Sequence, residues 1–218
     1  MEAANLNPGG GVPGQRSEEL RASPRMFESD LLDRLSRVHP LTPVAIFGPG
    51  IVLLLAHAVG RMGLLDTVAL ALVGYVTWTL TEYWMHRVVF HFEPEQGPGA
   101  YLHWIMHGVH HDHPNDPNRL VMPPAVSVPL ALLFHGLFTL VLGTTPALAL
   151  SGGFLAGYLA YDMTHYHLHH HTPRTAVGRR LRESHMRHHF QDDTRGFGVS
   201  APYWDRVFGT APRRRSEG

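Results

Sequence analysis

Four apolar segments, grouped in two pairs, constrain this chain more than any other feature. The first two cover 42–60 and 64–84 and are parted by Arg61-Met62-Gly63; the last two cover 125–142 and 146–163 and are parted by Gly143-Thr144-Thr145. A bilayer core about 30 Å thick is crossed by about 20 helical residues, and each segment is close to that length. The pattern predicts an all-α integral membrane protein with four transmembrane helices in two hairpins. Four buried helices of a soluble protein are the alternative, favoured by Gly48-Pro49-Gly50 in the first segment and Pro129 in the third, since proline inside a helix kinks or breaks it.

All 18 basic residues are arginines, and their placement orients the spans: five precede the first, one lies in the first hairpin turn, two separate the hairpins and ten follow the last. By the positive-inside rule the N-terminus, the middle segment and the C-terminus are cytoplasmic. Two histidine-rich regions, 86–113 and 165–189, therefore leave the membrane on the same side and can meet as a cytoplasmic cap. Residues 1–40 are polar and rich in Gly, Pro and Arg, which predicts a partly disordered tail with a short helix near Glu28 to Val38 and no signal peptide. Asn-Pro-Gly-Gly-Gly at 7–11 has a faint likeness to the haem-ligand motif of cytochrome b5, but Asn7 occupies the position of the haem histidine. One domain is expected over 41–212, followed by a basic tail at 213–218.

Histidine carries the chemistry. The chain has 18, and all but His39 and His57 lie at or after His86. Cysteine is absent, which excludes disulfides, thiolate catalysis and cysteine-containing zinc sites, so a metal would meet nitrogen and oxygen ligands. Four clusters stand out: His86 and His91; His107, His110 and His111; His165 and His169 within His-Tyr-His-Leu-His-His-His; and His185, His188 and His189. On an α-helix residues i, i+3 and i+4 share a face while i+2 points away. That rule groups His107, His110 and His111, groups His185, His188 and His189, pairs His165 with His169 and turns His167 outward. His170 and His171 fall off the arc, and Pro173 marks the end of that helix. His86 and His91, about 140° apart on an ideal helix, are expected to serve two different ions. Ten histidines then divide into five for each of two metal ions, leaving a position open on a six-coordinate ion. Glu82 and Asp162 are expected to accept imidazole N–H groups and fix their tautomers. His103 is read as a spare, and His39, His57 and His135 as structural.

These motifs resemble the fatty acid hydroxylase (sterol desaturase) superfamily, and within it the fatty acid 2-hydroxylases. The resemblance runs from about Trp78 to Thr210 and rests on Glu-Tyr-Trp-Met-His-Arg-Val-Val-Phe-His, Met-His-Gly-Val-His-His, Tyr-Asp-Met-Thr-His-Tyr-His-Leu-His-His, His-Met-Arg-His-His-Phe and the closing Gly-Phe-Gly-Val-Ser-Ala-Pro-Tyr-Trp-Asp-Arg-Val-Phe-Gly-Thr. It implies a membrane-bound di-iron monooxygenase that hydroxylates a long fatty acyl chain at C2, with the same ten histidines as ligands and Glu82 and Tyr161-Asp162 as matching neighbours; zinc is expected as a substitute metal in purified protein where iron is scarce, since nitrogen-ligand sites often prefer it by affinity. It also implies O2 as a substrate and electrons from a separate donor, such as a cytochrome b5-like protein or a ferredoxin, since eukaryotic 2-hydroxylases often carry a fused cytochrome b5 domain absent from this sequence. Trp78, Tyr83, Trp84, Trp104 and Tyr158 are candidates to line an acyl passage, and the arginines around 174–187 to dock an acidic donor or anionic lipid. A sterol or carotenoid hydroxylase or desaturase is the alternative within the superfamily, and a non-catalytic metal-binding or metal-transporting membrane protein the alternative outside it. A formal net charge of zero gives no argument for nucleic acid.

Overall fold

The computed structural model describes residues 13–213; the Asn7–Gly11 stretch and the tail beyond Arg213 lie outside the described residues. Every regular element among them is helical. α1 (Pro13–Arg21) and α2 (Asp30–Leu35) precede α3 (Thr42–Met62) and α4 (Leu64–Trp84). α4 passes into a π-helical turn, Met85–Phe90; α5 (Gly97–His103) passes into a second, Trp104–Gly108, and then into α6 (Val109–Asp112). α7 (Pro124–Leu142), α8 (Thr144–His170), α9 (Ala176–Phe190) and α10 (Tyr203–Val207) complete the chain.

Each hairpin turns on one glycine. Gly63 at φ 87° separates α3 from α4, and Gly143 at φ 80° separates α7 from α8. A left-handed φ costs any other residue conformational energy and costs glycine little, so the chain reverses without a longer loop. Among the described residues three helices are long and apolar enough to cross a membrane: Thr42–Met62, Leu64–Phe90 and Pro124–Leu142. Their apolar side chains point outward, with Leu53, Leu72, Leu132 and Leu140 exposed, which is the reverse of a soluble bundle. Pro49 and Pro129 sit inside continuous helices.

α8 differs from the other three in kind. It packs against α3, α4 and α7 and buries residues along most of its length, including Ser151, Gly152, Gly153 and Gly157. The small residues let backbones touch. A Cβ on Gly153 would stand 1.8 Å from the Ala71 carbonyl oxygen, and one on Gly74 would stand 2.1 Å from the Leu150 carbonyl oxygen.

The segment expected to be a partly disordered tail is tied to the 101–119 region at Leu20, Met26, Asp33 and Val38. Asn115 N–H donates to Leu20 O at 3.0 Å, Val38 N–H to Asn118 O at 2.7 Å and Tyr101 O–H to Met26 O at 2.7 Å. Asp33 accepts from Met26 N–H at 2.8 Å and from buried Arg119 at 2.9 Å. Asp33 and Arg37 carry the side-chain contacts within this stretch, with Arg37 donating to Asp33 at 3.2 Å and to Ser23 O at 3.1 Å, while Arg16, Glu18, Arg21, Glu28 and Arg34 are exposed.

Candidate metal centre

Four elements deliver histidines to one place, each by its own local geometry. The turn after α4 is closed by His91 N–H donating to His86 O at 3.2 Å, an i→i+5 bond. In such a turn residues five apart lie one above the other. The two rings stand 5.1 Å apart, and His86 and His91 belong to the same group, which corrects the expectation that they serve different ions. The arithmetic of an ideal α-helix fails there because the backbone is wound more loosely.

The ten rings form two groups of five. The first is His86, His91, His107, His111 and His188; the second is His110, His165, His169, His185 and His189. Within each group one ring nitrogen per residue lies within 4.8 Å of all the others. Each His-x-x-His-His motif is thus split, its i and i+4 rings going to one group and its middle ring to the other. In the first group His86 Nε2 faces His107 Nε2 at 3.2 Å, His107 Nε2 faces His111 Nε2 at 3.0 Å, and His91 Nε2 faces His188 Nε2 at 3.1 Å. In the second, His169 Nε2 faces His185 Nε2 at 2.7 Å, and His189 Nε2 faces both His185 Nε2 and His110 Nε2 at 3.1 Å. The groups adjoin, with the His111 and His189 ring centroids 4.3 Å apart.

The rings suit a cation. His86 Nδ1–H donates to Phe197 O at 2.7 Å and His188 Nδ1–H to Arg195 O at 2.8 Å, so in the neutral ring each Nε2 turns a lone pair to the centre. Burial, reinforced by neighbouring imidazoles, holds His107, His110, His185 and His189 well below the ordinary histidine range and His91 and His111 at about 3. Neutral lone pairs converging about 3 Å apart repel one another, and this is the edge length of ligands held at right angles about 2.1 Å from a shared ion.

The carboxylates act differently from expectation. Glu82 accepts from Ser200 N–H at 2.8 Å and from the Ser200 hydroxyl, so it fastens the 197–200 loop to α4. Asp162 accepts from Tyr158 O–H at 3.1 Å, one turn earlier on α8. Neither described set of bonds includes an imidazole. The outward nitrogens of His86 and His188 use backbone carbonyls instead, which leave no mark in a sequence; Glu93, 3.5 Å from His91 Nδ1, is the carboxylate nearest this role. Asp205 and Ser200 were visible only as letters in the closing motif.

Of the other candidates, His167 is exposed and stacks on His171, His170 stacks on Tyr166, and His135 Nδ1 lies 2.8 Å from Ser151 Oγ within the spans. Beneath the histidines lies an apolar cavity of about 280 Å³, lined among others by Trp78, Leu130, Phe134, Phe154 and Tyr158, with Glu82, Met85, Phe90 and Tyr161 also in its wall. Phe90 stacks on His107 with centroids 5.1 Å apart, and Tyr161 packs on His165 at 5.6 Å, so the cavity touches both groups. Tyr83, Trp84 and Trp104 do not line it. Tyr83 stacks on Phe208 and pairs with Thr210, Trp84 packs edge-on to Phe208, and Trp104 donates to Asp112.

A family model described as fatty acid hydroxylase matches residues 71–210. The chain is 36% identical over 190 residues to a dihydroceramide fatty acyl 2-hydroxylase of Arabidopsis thaliana, covering 87% of this chain and 80% of that protein. It is 38% identical over 146 residues to a fatty acid 2-hydroxylase of Rattus norvegicus, covering 66% of this chain and 39% of that one. A solved structure of full-length scs7p, in which only the hydroxylase domain is visible, superposes with a TM-score of 0.80 at 36% identity, over 85% of this chain and 71% of that one.

Proposed function

The chain belongs to the fatty acid hydroxylase family, and on that premise we propose that it is a membrane-bound two-metal monooxygenase that hydroxylates a long fatty acyl chain at C2. The observation that carries the reading is the apolar cavity whose wall touches both histidine groups through Phe90 and Tyr161. An aliphatic C–H bond has no acidic proton or leaving group for a side chain to exploit. The proposed ligands are His86, His91, His107, His111 and His188 for one ion and His110, His165, His169, His185 and His189 for the other, with iron as the resident metal and zinc as its substitute in purified protein. When bound, the metal pair supplies the redox chemistry with O2 that no side chain here can provide.

The residues of the chain supply position and exclusion. Trp78, Leu130, Phe134 and Phe154 give an acyl chain an environment from which water is expelled. Phe90 and Tyr161 border both the cavity and the rings, and so set how far an alkyl group advances. Buried Glu82 holds the 197–200 loop, and with it the Phe197 carbonyl that accepts the hydrogen bond from His86 Nδ1–H. We place α8 as a fourth span shielded by the other three, with the histidine cap and both termini in the cytoplasm. Electrons arrive from a separate acidic donor at the outer side of α9, where Arg174, Arg179 and Arg180 are exposed.

Lipid mass spectrometry of a host expressing this protein, beside one expressing His110→Ala, tests the reading. Acyl chains gaining one oxygen at C2 only with the intact protein are expected, and the lipid class follows from the same spectra. Unchanged lipids from a protein with both ions bound and a supplied reductant would end the C2 reading.

A further inference from the structure

The outward nitrogens of the two groups are treated unequally. In the first group His86 and His188 donate to the carbonyls of Phe197 and Arg195 at 2.7 and 2.8 Å. In the second, Nδ1 of His169, His185 and His189 is buried with no hydrogen-bond partner among the described residues. An anchored ring is held in one tautomer and one orientation, and its free nitrogen is a better donor to a metal; an unanchored ring lacks both.

The Phe197 carbonyl is itself held by a buried carboxylate. Asp205 Oδ1 accepts from Phe197 N–H at 2.9 Å and from the Thr210 hydroxyl at 2.8 Å, and Oδ2 accepts from Gly198 N–H at 2.9 Å. Gly198 N–H and Phe197 C=O are the two ends of one peptide unit. A negative charge on the N–H end polarises the carbonyl at the other end, and hydrogen bonds in series strengthen one another. A continuous path therefore runs from Asp205 through that peptide to His86 Nδ1. The close approach requires a glycine, since a Cβ at 198 would stand 2.4 Å from Ala201 O and 3.0 Å from Asp205 Oδ2.

We infer that Asp205 is a positioning residue for His86, acting through the 197–198 peptide, and that the His86 group holds its ion more tightly than the His169 group. The inference rests on the ligand assignment proposed above. Purified protein in detergent, stripped and reloaded with Co2+, is titrated with a chelator while visible absorption is followed and metal per chain is counted. The unaltered protein releases its two ions in two steps about tenfold or more apart in chelator, and His189→Ala disturbs the earlier step.

Asp205→Asn keeps the acceptor for Phe197 and Thr210 but turns an amide N–H2 toward Gly198 N–H, cutting the path at one bond. It weakens the later step by roughly 10–100-fold and shifts its spectrum, with the earlier step unmoved. Asp205→Glu retains both oxygens and keeps the two steps apart. Thr210→Val removes a bond to the same carboxylate outside the path, so it lowers the melting temperature and leaves both steps in place. Release of both ions in one step from the unaltered protein overturns the inference and leaves the two-metal reading standing, as does equal weakening of both steps in folded Asp205→Asn. Uptake of fewer than two Co2+ by the unaltered protein overturns the reading beneath it. If Asp205→Asn yields no folded protein, Asp205→Glu decides: merged steps in that variant count against the inference and separate steps support it.

Discussion

His167 and His169 stand two residues apart on α8 in opposite surroundings. His169 is buried with Nε2 2.7 Å from His185 Nε2, while His167 is exposed and touches His171. His169→Ala is therefore expected to lower bound metal per chain and to cost more activity than the roughly 10–100-fold typical of a lost outer hydrogen bond, and His167→Ala to change neither. Metal analysis of the two purified variants decides it. The i, i+4 rule was enough to separate these two residues from sequence, because α8 is a regular helix there. The same rule misplaced His91, since nothing in Met-His-Arg-Val-Val-Phe marks a π-helical turn and ring direction depends on the winding. It also treated each His-x-x-His-His as one face, whereas the middle ring turns to a different group. Glu82 was legible as a buried charge with a purpose, but its partner, Ser200, is 118 residues away. Glu82→Ala leaves Ser200 N–H and its hydroxyl unsatisfied, at about 1–3 kcal/mol for a buried polar group, and a lower thermal midpoint in detergent is the expected result.

At the level of elements, α8 is where length and hydropathy say least. Its apolar run was read from sequence as a fourth span, yet it is not among the three helices long and apolar enough to cross a membrane; that it is enclosed by α3, α4 and α7 follows from where its small residues fall against their neighbours, which a single sequence shows only as scattered glycines. Two glycine positions, one on α8 and one on α7, give a matched test. Gly153→Ala drives a methyl group into the Ala71 carbonyl, where the two backbones meet and neither can rotate away, at a cost of about 1–3 kcal/mol or more. Gly136→Ala, on α7 with nothing within 4 Å, is neutral or stabilises by up to about 1 kcal/mol through helix propensity. Thermal unfolding of both variants in one detergent should move in these different directions. Equal losses would mean that α4 and α8 are not in backbone contact.

For the whole molecule, the crowding of neutral imidazoles sets how stability responds to acid. His91 and His111 stay unprotonated in the folded chain until about pH 3, whereas the unfolded chain takes up those protons near 6.5. The folded-state values are depressed, so the unfolded state binds more protons below 6.5, and the stability of metal-free protein falls as pH drops from there and is level above it. A melting series on chelator-treated protein across pH 6.5 checks the sign; a midpoint that rises in acid would contradict it. Removal of metal is expected to lower the midpoint at every pH, and the reason lies in the sorting of the rings. One group joins residues 97 apart in the chain, His91 and His188, and the other joins residues 79 apart, His110 and His189, so the two closures overlap along the sequence. With the two proposed ions bound, a chain with no cysteine would acquire the equivalent of two interlocked cross-links, each closing a loop of a size for which a cross-link is worth about 4–5 kcal/mol against the unfolded state. A cell short of metal would lose the clasp that keeps the spans and the cap together along with the reaction.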